Sequence, residues 1–555
     1  MQTSTPERIQ RYEDAGYWGS ATLCSLLAHQ VAERPHAVAA VDQFNKQELT
    51  GGDPQRLSFK QLDDVSSAMA LDLLALGVRH GDRMMVQFPN VVELMACYYA
   101  ASKLGVVISP LPVQYGRHEI GSLAIALEPS WFIGTRSFRG QSLADHGSAA
   151  VASSAVLAVD EDFSLRGRDG LSHDEQSRID QYLSDHPRDA NAIFSVCWTS
   201  GTTGTPKGVP RSHNMWLASG RMTAVGSEYQ QGDLLLNPFP MVNMSALGGF
   251  LFPAVREGCG VVLHHPLDVP VFLQQIQQEQ ITFTIAPPAL LNKLAKEPEL
   301  WRRFDFSRLR AIGSGSAPLA PDMIDVFEND YGVAIYNIYG SNEGIALISS
   351  PTAIPDARAR AELFPRSGFG GSKWRGELHD SVESKVIDPD DGRELTAPGD
   401  RGELCFSGPT VFDGYLGGKE GDVFTQDGFF RTGDLVDITG DQGEYYRIAG
   451  RLKDIINRGG MKISPSEIDA LLDGFQGVAE AAVCSYPDDD LGERVCVCVV
   501  PSQEENPPTL DELCQYLIGC GVATFKLPER IRIVTALPRN PLGKILRHEL
   551  SAGLV

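Results

Sequence analysis

The feature that most constrains the fold is an alternation of two periodicities along the chain. The run RMMVQF at 83–88 is followed by VVELMACYYAASKLG, VVISPL at 106–111 by RHEIGSLAIAL, and ITFTIA at 281–286 by PPALLNKLAK. Each first member is a short, nearly continuous apolar run suited to a strand buried on both faces, and each second member repeats its apolar residues at helical spacing. Strand then helix, repeated, predicts an α/β fold with helices packed on parallel sheets. Between 376 and 450 the texture changes to short strands and Gly/Asp turns, as in RGELCFSGPTVFDGYL and GEYYRIAG, which predicts a small barrel-like β layer. After GRLKDIINRGG come a helical run, SPSEIDALLDGF, a strand pair and a second helical run, TLDELCQYLIGCG. The expected division is a large N-terminal domain, 1–450, and a smaller α+β C-terminal domain, 451–555.

Composition narrows the function classes. A chain of 555 residues with 43% hydrophobic content has enough apolar material for more than one core. The net charge of -23, spread without a long block of one sign, argues against a nucleic-acid partner. Ten cysteines are scattered without a CxxC pair, which fits a reduced, cytoplasmic compartment; Cys496 and Cys498 alternate with valines in RVCVCVV and read as one face of a strand. The N-terminal MQTSTPERIQRYEDAGYW has no apolar signal core. The uncharged stretch Leu234 to Val255 is long enough to span a bilayer, but Asn237, Pro238, Pro240, Asn243, Gly248 and Gly249 would break a lipid-exposed helix repeatedly. It is expected to be buried interior lining an apolar pocket, with no integral membrane association.

The stretch TSGTTGTPKG at 199–208 leaves an apolar run, Ile193 to Trp198. Small residues let backbone N–H groups converge on an anion, while hydroxyls and a lysine add donors. The Walker loop requires Gly-Lys followed by Ser or Thr, and Lys207 lies between Pro206 and Gly208, so that template fails. On its own pattern the stretch is either a different phosphate grip or a flexible turn.

Four further motifs accompany it in order: YGSNEG at 339–344, FRTGD at 430–434, GRLKDIINRGG at 450–460 and NPLGK at 540–544. Together with TSGTTGTPKG they resemble the signatures of the adenylate-forming superfamily, which includes acyl-CoA synthetases, aryl-acid ligases and peptide-synthetase adenylation domains. The resemblance spans nearly the whole chain. It implies that Thr199, Ser200, Gly201, Thr202, Thr203 and Gly204 wrap the β and γ phosphates of ATP, with Lys207 as a mobile cation. It further implies that Gly313, Ser314 and Gly315 flank adenine and the acyl pocket, and that Asn337, Ile338, Tyr339, Gly340 and Asn342 line the nucleotide, with Tyr339 stacking on adenine and Asn337 bonding its amino edge. Glu343, with Thr202, would ligate Mg2+, a hard cation that prefers oxygen donors. The superfamily usually has Thr where this chain has Asn342.

By the same resemblance Asp434 accepts the ribose hydroxyls, Arg451 partners it, and Lys453 marks the hinge about which a mobile C-terminal domain rotates. Lys544 is the catalytic cation, bridging a carboxylate and the α phosphate as charge builds between them. Lys207 and Glu343 complete the catalytic set. His213, which opens a helix just after the loop, is left out of the chemistry.

The acid-binding segment is expected in NPFPMVNMSALGGFL, with Val242, Asn243, Met244 and Leu247 lining the pocket beside Gly315 and Ser316. Aryl-acid ligases of siderophore assembly carry His-Asn where this chain has Asn243 and Met244, which counts against a hydroxybenzoate. No Asp occurs between Leu234 and Val255 to pair with an α-ammonium, which points to a free carboxylic acid with an apolar aliphatic, alicyclic or aromatic body. No carrier domain follows Val555, so the expected acceptor is coenzyme A, with Arg458, Lys462, Lys526 and Arg530 as cations open to its nucleotide, or else a separate carrier protein. A non-catalytic nucleotide-binding homologue is the remaining alternative, against which Lys544, Glu343 and Asp434 all stand.

Overall fold

The computed structural model describes residues 3–159, 165–199, 206–315, 319–369, 380–418, 423–459, 461–488, 490–503, 505–520, 522–540 and 543–554. The apolar runs form the inner strands of two sheets, and the helical runs that follow them form the covering helices. Arg83–Gln87, Val107–Leu111 and Phe283–Ile285 are strands, and Val92–Leu104, Arg117–Leu127 and Pro288–Lys296 are helices.

Residues Met1–Ala361, Trp374–Glu383 and Ser407–Val423 make one compact unit. Its eight-stranded sheet runs Ile345–Ser349, Ala334–Ser341, Ala311–Gly315, Phe283–Ile285, Leu234–Asn237, Gly260–Leu263, Val38–Val41, Arg56–Ser58. Its six-stranded sheet runs Val156–Val159, Trp131–Thr135, Arg83–Gln87, Val107–Leu111, Ile193–Thr199, Lys207–Ser212. Both are parallel through their middles and close with an antiparallel edge, as where Lys207–Ser212 folds back on Ile193–Thr199. One core joins inner faces of both sheets, Ile108 and Phe194 of one with Leu235 and Phe283 of the other, through Leu62, Tyr98, Trp216 and Phe252 on intervening helices. This layering is the expected α/β class, with parallel strands covered on both faces.

The stretch Leu234 to Val255 is not one helix. It runs as the strand Leu234–Asn237, a turn, the short helix Met244–Ala246, a wide turn over Leu247–Leu251, and the helix Phe252–Glu257. No helix among the described residues is long and apolar enough to cross a membrane.

The second compact unit comprises Glu362–Lys373, Ser384–Phe406 and Phe424–Val555. It holds an antiparallel sheet built around Arg401–Ser407, Phe430–Thr439 and Tyr445–Arg451, the β layer read from the Gly/Asp texture. It also holds the C-terminal α+β segment, with the long hairpin Val478–Asp488 and Gly492–Pro501 flanked by the helices Pro465–Leu472 and Leu510–Gly519. Contact density thus groups the β layer with the C-terminal segment, a different partition from a cut at 450/451. The local reason is a short connection: Ser464 Oγ donates to the carbonyl of Ala449, and helix Pro465–Leu472 packs on strand Tyr445–Arg451.

Candidate active site

In the first unit the sequence motifs meet at the carboxyl ends of parallel strands, where open α/β sheets place their ligands. Strand register sets Ser314 beside Asn337 and Gly315 beside Ile338. Gly315 has no alternative there, because a Cβ would fall inside hard contact with the carbonyl oxygen of Ile338. Ser314 is buried and donates its hydroxyl to the carbonyl of Ala286 at 2.8 Å. Asn337 is buried with its Nδ2 committed to the carbonyls of Arg360 and Ala361, 3.1 and 2.8 Å away. Its amide NH2 is therefore a clamp on its own unit, and any bond to an adenine amino group falls to Oδ1. Tyr339 is half-buried and Gly340 exposed at the end of the same strand.

Thr199 and Lys207 face each other across the last register pair of their two strands. Ser200, Gly201, Thr202, Thr203 and Gly204 of the phosphate-loop motif, and Ser316 of the expected pocket, lie outside the described residues. Lys207 Nζ sits 4.9 Å from the ring centre of Tyr415, whose hydroxyl donates to Glu343 Oε1 at 2.8 Å. One tyrosine thus spaces the expected phosphate cation from the expected magnesium carboxylate. Glu343 is buried, and its backbone carbonyl accepts from Phe412 N at 2.9 Å. A single buried carboxylate is a donor set that suits Mg2+, which keeps waters and phosphate oxygens for its remaining positions.

Asn342, expected to line the nucleotide, and Arg211, to which the sequence gives no role, hold these ends together. Asn342 accepts from Met244 N at 2.7 Å, donates to the carbonyl of Trp198 at 3.3 Å, and gives its own carbonyl to Arg211 at 3.1 Å. It ties the phosphate-loop strand, the acid-binding segment and the YGSNEG turn at one point, a task for an amide rather than a threonine hydroxyl. Arg211 is fully buried and also donates to Met215 O, Ser219 Oγ and Thr410 O at 2.7–2.9 Å; burial pulls its guanidinium down to about 9. The tying role of Asn342, and those of Arg211 and Tyr415, have no local signal, since each depends on at least one partner distant in sequence.

The acid-binding segment packs its short helix Met244–Ala246 on strand Ala334–Ser341. Leu247 is wholly inside the core and Val242 nearly so, while Met244 is only partly buried. Asn243 is 8% exposed, and its Oδ1 is buried with no hydrogen-bond partner. An orphaned acceptor of this kind costs about 1–3 kcal/mol until a donor reaches it. His213 stacks on Phe194 at 4.6 Å, accepts from Leu23 N, and is held neutral by burial, its ring pushed down to about 3.

The remaining motifs meet inside the second unit. Asp434 and Arg451 are register partners on adjacent strands, with Arg451 Nε 2.7 Å from Asp434 Oδ1. Asp434 is 4% exposed and its backbone N–H donates to Thr432 Oγ1. Lys453 is exposed on the single turn Leu452–Asp454 directly after that strand. The NPLGK turn is closed on itself: Asn540 N donates to Lys544 O and Lys544 N to Asn540 Oδ1, both at 2.9 Å. The Lys544 ammonium is pushed down to about 8, first by desolvation, then by Arg451 and Lys453, against the pull of Asp434 and Asp454. The residue as a whole is exposed, and its ammonium lies within electrostatic reach of Asp434 and Arg451.

Of the cations expected for coenzyme A, two are taken within their own unit. Arg458 pairs with Glu529 at 2.8 Å and Lys526 with Glu467 at 2.6 Å, which removes both as free phosphate ligands. Arg530 donates to the carbonyl of Leu554, and the side chain of Lys462 lies outside the described residues.

Comparison with known proteins shows the family and the fold. The AMP-binding enzyme family profile matches residues 27–416, and the AMP-binding enzyme C-terminal domain profile matches 467–544. The chain is 31% identical to pyochelin synthase PchD of Pseudomonas aeruginosa strain UCBPP-PA14, over 98% of this chain and 94% of that one. It is 29% identical to 4-coumarate--CoA ligase 5 of Oryza sativa subsp. japonica, over 91% of each. The crystal structure of ATP-bound MatB from Rhodopseudomonas palustris superposes with a TM-score of 0.76 at 26% identity, covering 96% of this chain and 98% of that one. Five ordered motifs, the two-unit α/β architecture and these matches make the chain a member of the AMP-binding, adenylate-forming enzyme family.

Proposed function

We propose that the chain is an AMP-forming acid:thiol ligase that activates a carboxylic acid of largely apolar body and passes the acyl group to coenzyme A. The observation that carries the reading is the ion pair of buried Asp434 with Arg451, with the Lys544 ammonium in electrostatic reach of both. In the first half-reaction a carboxylate oxygen attacks the α phosphorus, the bond to the β phosphate oxygen breaks, and pyrophosphate leaves. Two anions meet in that step, and the Lys544 ammonium offsets their repulsion where charge builds. Asp434 takes the ribose hydroxyls while Arg451 holds its carboxylate in place. Lys207 and the Thr199 end of the phosphate loop retain the departing phosphates. Glu343 would hold Mg2+, which when bound neutralises phosphate charge. In the second half-reaction the thiol attacks the acyl carbonyl, AMP leaves, and the thiol proton passes to solvent. Lys453 serves as the pivot that removes Lys544 between the two steps.

Apolar Val242 and Met244 favour an apolar acid, and the orphaned Asn243 Oδ1 adds one specific demand, a hydroxyl or N–H donor on the acid's body. That acceptor also favours a second reading, in which a hydroxyaryl acid is loaded onto a separate carrier protein. Asn243→Ala is expected to lower kcat/KM for acids bearing such a donor by about 5- to 150-fold relative to their deoxy analogues, the equivalent of about 1–3 kcal/mol. Equal loss on both sets would remove Asn243 from substrate recognition. The thiol is decided by running pyrophosphate release with and without coenzyme A and identifying the thioester by mass.

The low Lys544 value gives a pH test of its role. The ammonium is the active form and is lost as pH rises through about 8, so adenylate formation should fall on an alkaline limb near that value. Lys544→Arg, charged throughout, should push the limb upward even if its rate is lower. A limb that stays in place in Lys544→Arg assigns the titration to another group.

A further inference from the structure

Three cysteines meet in the C-terminal segment with no part in the chemistry above. Cys484 on strand Val478–Asp488 lies opposite Cys496 on strand Gly492–Pro501, and Cys498 follows two residues along on the same face. Their sulfurs all lie within 4.8 Å of one another, and each residue is at most 2% exposed. The alternating Val495, Val497 and Val499 point to the other face, into a separate core with Ile463 and Leu513. Among the described residues no second group of three thiol, imidazole or carboxylate ligands forms.

We propose that this three-sulfur pocket is a binding site for a thiophilic closed-shell cation, Cu(I) above all, and that filling it displaces the Lys544 turn. A trigonal metal with bonds of about 2.3 Å needs sulfurs about 4 Å apart, which lies inside the observed limit. Three soft donors without a fourth suit Cu(I), whereas structural Zn2+ asks for four and hard cations ask for oxygen. Each thiol that coordinates as thiolate releases its proton to solvent, so acid weakens the site. Arg532, in register with Cys498 on the parallel neighbour Arg530–Ile533, supplies positive charge beside the sulfurs.

The walls explain the coupling. Leu537 and Leu550 are buried in the same cluster, and Ile545 packs against it. Leu537 and Ile545 flank the Lys544 turn on either side, and the bridge between Arg539 and Ile545 closes its base. A packed interior does not absorb an added ion without moving its lining, so the ion acts on the feet of the catalytic turn. The helix Arg547–Ala552 packs on strand Val478–Asp488 and covers the cluster with Leu550.

The test is Cu(I) delivered to the full-length protein from a competing chelator, with native mass spectrometry as readout. One ion per chain is expected, lost in Cys496→Ser and in Cys498→Ser, and kept in Cys514→Ser/Cys520→Ser, whose thiols lie outside the cluster. A wild-type measurement guards against misfolded variants: in mild denaturant, bound Cu(I) should protect peptides carrying Cys484, Cys496 and Cys498 from alkylation and leave Cys514 and Cys520 unprotected. No ion at one equivalent, or protection confined to Cys514 and Cys520, overturns the site. The coupling rests on the adenylation reading above. With the ion bound, pyrophosphate exchange should fall severalfold while thioester formation from supplied acyl-adenylate persists, and unchanged exchange in the loaded protein overturns the coupling. If the metal-free protein shows no exchange with any acid, the adenylation reading fails with the coupling, and the mass and alkylation results still decide the site.

Discussion

Lys544→Ala should lower adenylate formation by about 10²–10³-fold, the scale on which single charge-stabilising groups act in acyl and phosphoryl transfer, while thioester formation from a supplied acyl-adenylate stays close to the unmodified rate. The asymmetry follows from where charge develops. In the first half-reaction the carboxylate and the α phosphate are both anionic, and Lys544, in electrostatic reach of Arg451 and Asp434, is the cation proposed for the gap between them. In the second half-reaction a thiol attacks a neutral carbonyl and AMP departs, so there is no anion–anion approach to offset. Parallel loss in both half-reactions would assign Lys544 to folding or nucleotide binding. The two rates are separated by following pyrophosphate exchange in one assay and thioester yield from synthetic adenylate in the other.

Gly344→Ala should cost about 3 kcal/mol or more in stability and leave no measurable adenylation. Gly344 has a φ of 108°, which a side chain rarely adopts, and a Cβ there would overlap the carbonyl oxygen of Thr410 and crowd Arg211 Nη1 at 2.6 Å. The Thr410 carbonyl is itself a partner of buried Arg211, so the clash spreads to the group that holds Asn342. Glu343 is the preceding residue and would be displaced with it. Chemical denaturation and pyrophosphate exchange on the same preparation measure both effects. A variant of ordinary stability and activity would show that the YGSNEG turn is not held as described.

Much of this architecture was legible in the sequence because strands buried on both faces must be written as continuous apolar runs. Met84–Val86 and Ile108 could hardly be read otherwise, and the helices after them kept their spacing. The proline, asparagine and glycine residues of Leu234 to Val255 likewise foretold a broken, buried path. Partners that depend on folding were not legible. Tyr415 reaches Glu343 across 72 positions, and Asn342 reaches Trp198 across 144. The commitment of the Asn337 NH2 to the carbonyls of Arg360 and Ala361, which leaves only Oδ1 for adenine, has no sign in the sequence. Arg458 and Lys526 looked open to a phosphate for the same reason, their carboxylate partners lying 71 and 59 residues away. The alternation in RVCVCVV gave the shared face of Cys496 and Cys498, but only the hairpin register brings in Cys484.

The central claim is that the chain joins an acid to coenzyme A through an adenylate. Its most direct test is pyrophosphate release from ATP and Mg2+ over a panel of aliphatic, alicyclic, aromatic and hydroxyaromatic acids, each run with and without coenzyme A. The account predicts turnover with an apolar-bodied acid that requires coenzyme A and yields the acyl-CoA thioester. A signal confined to hydroxyaromatic acids and indifferent to coenzyme A would contradict it and direct the search to a carrier protein.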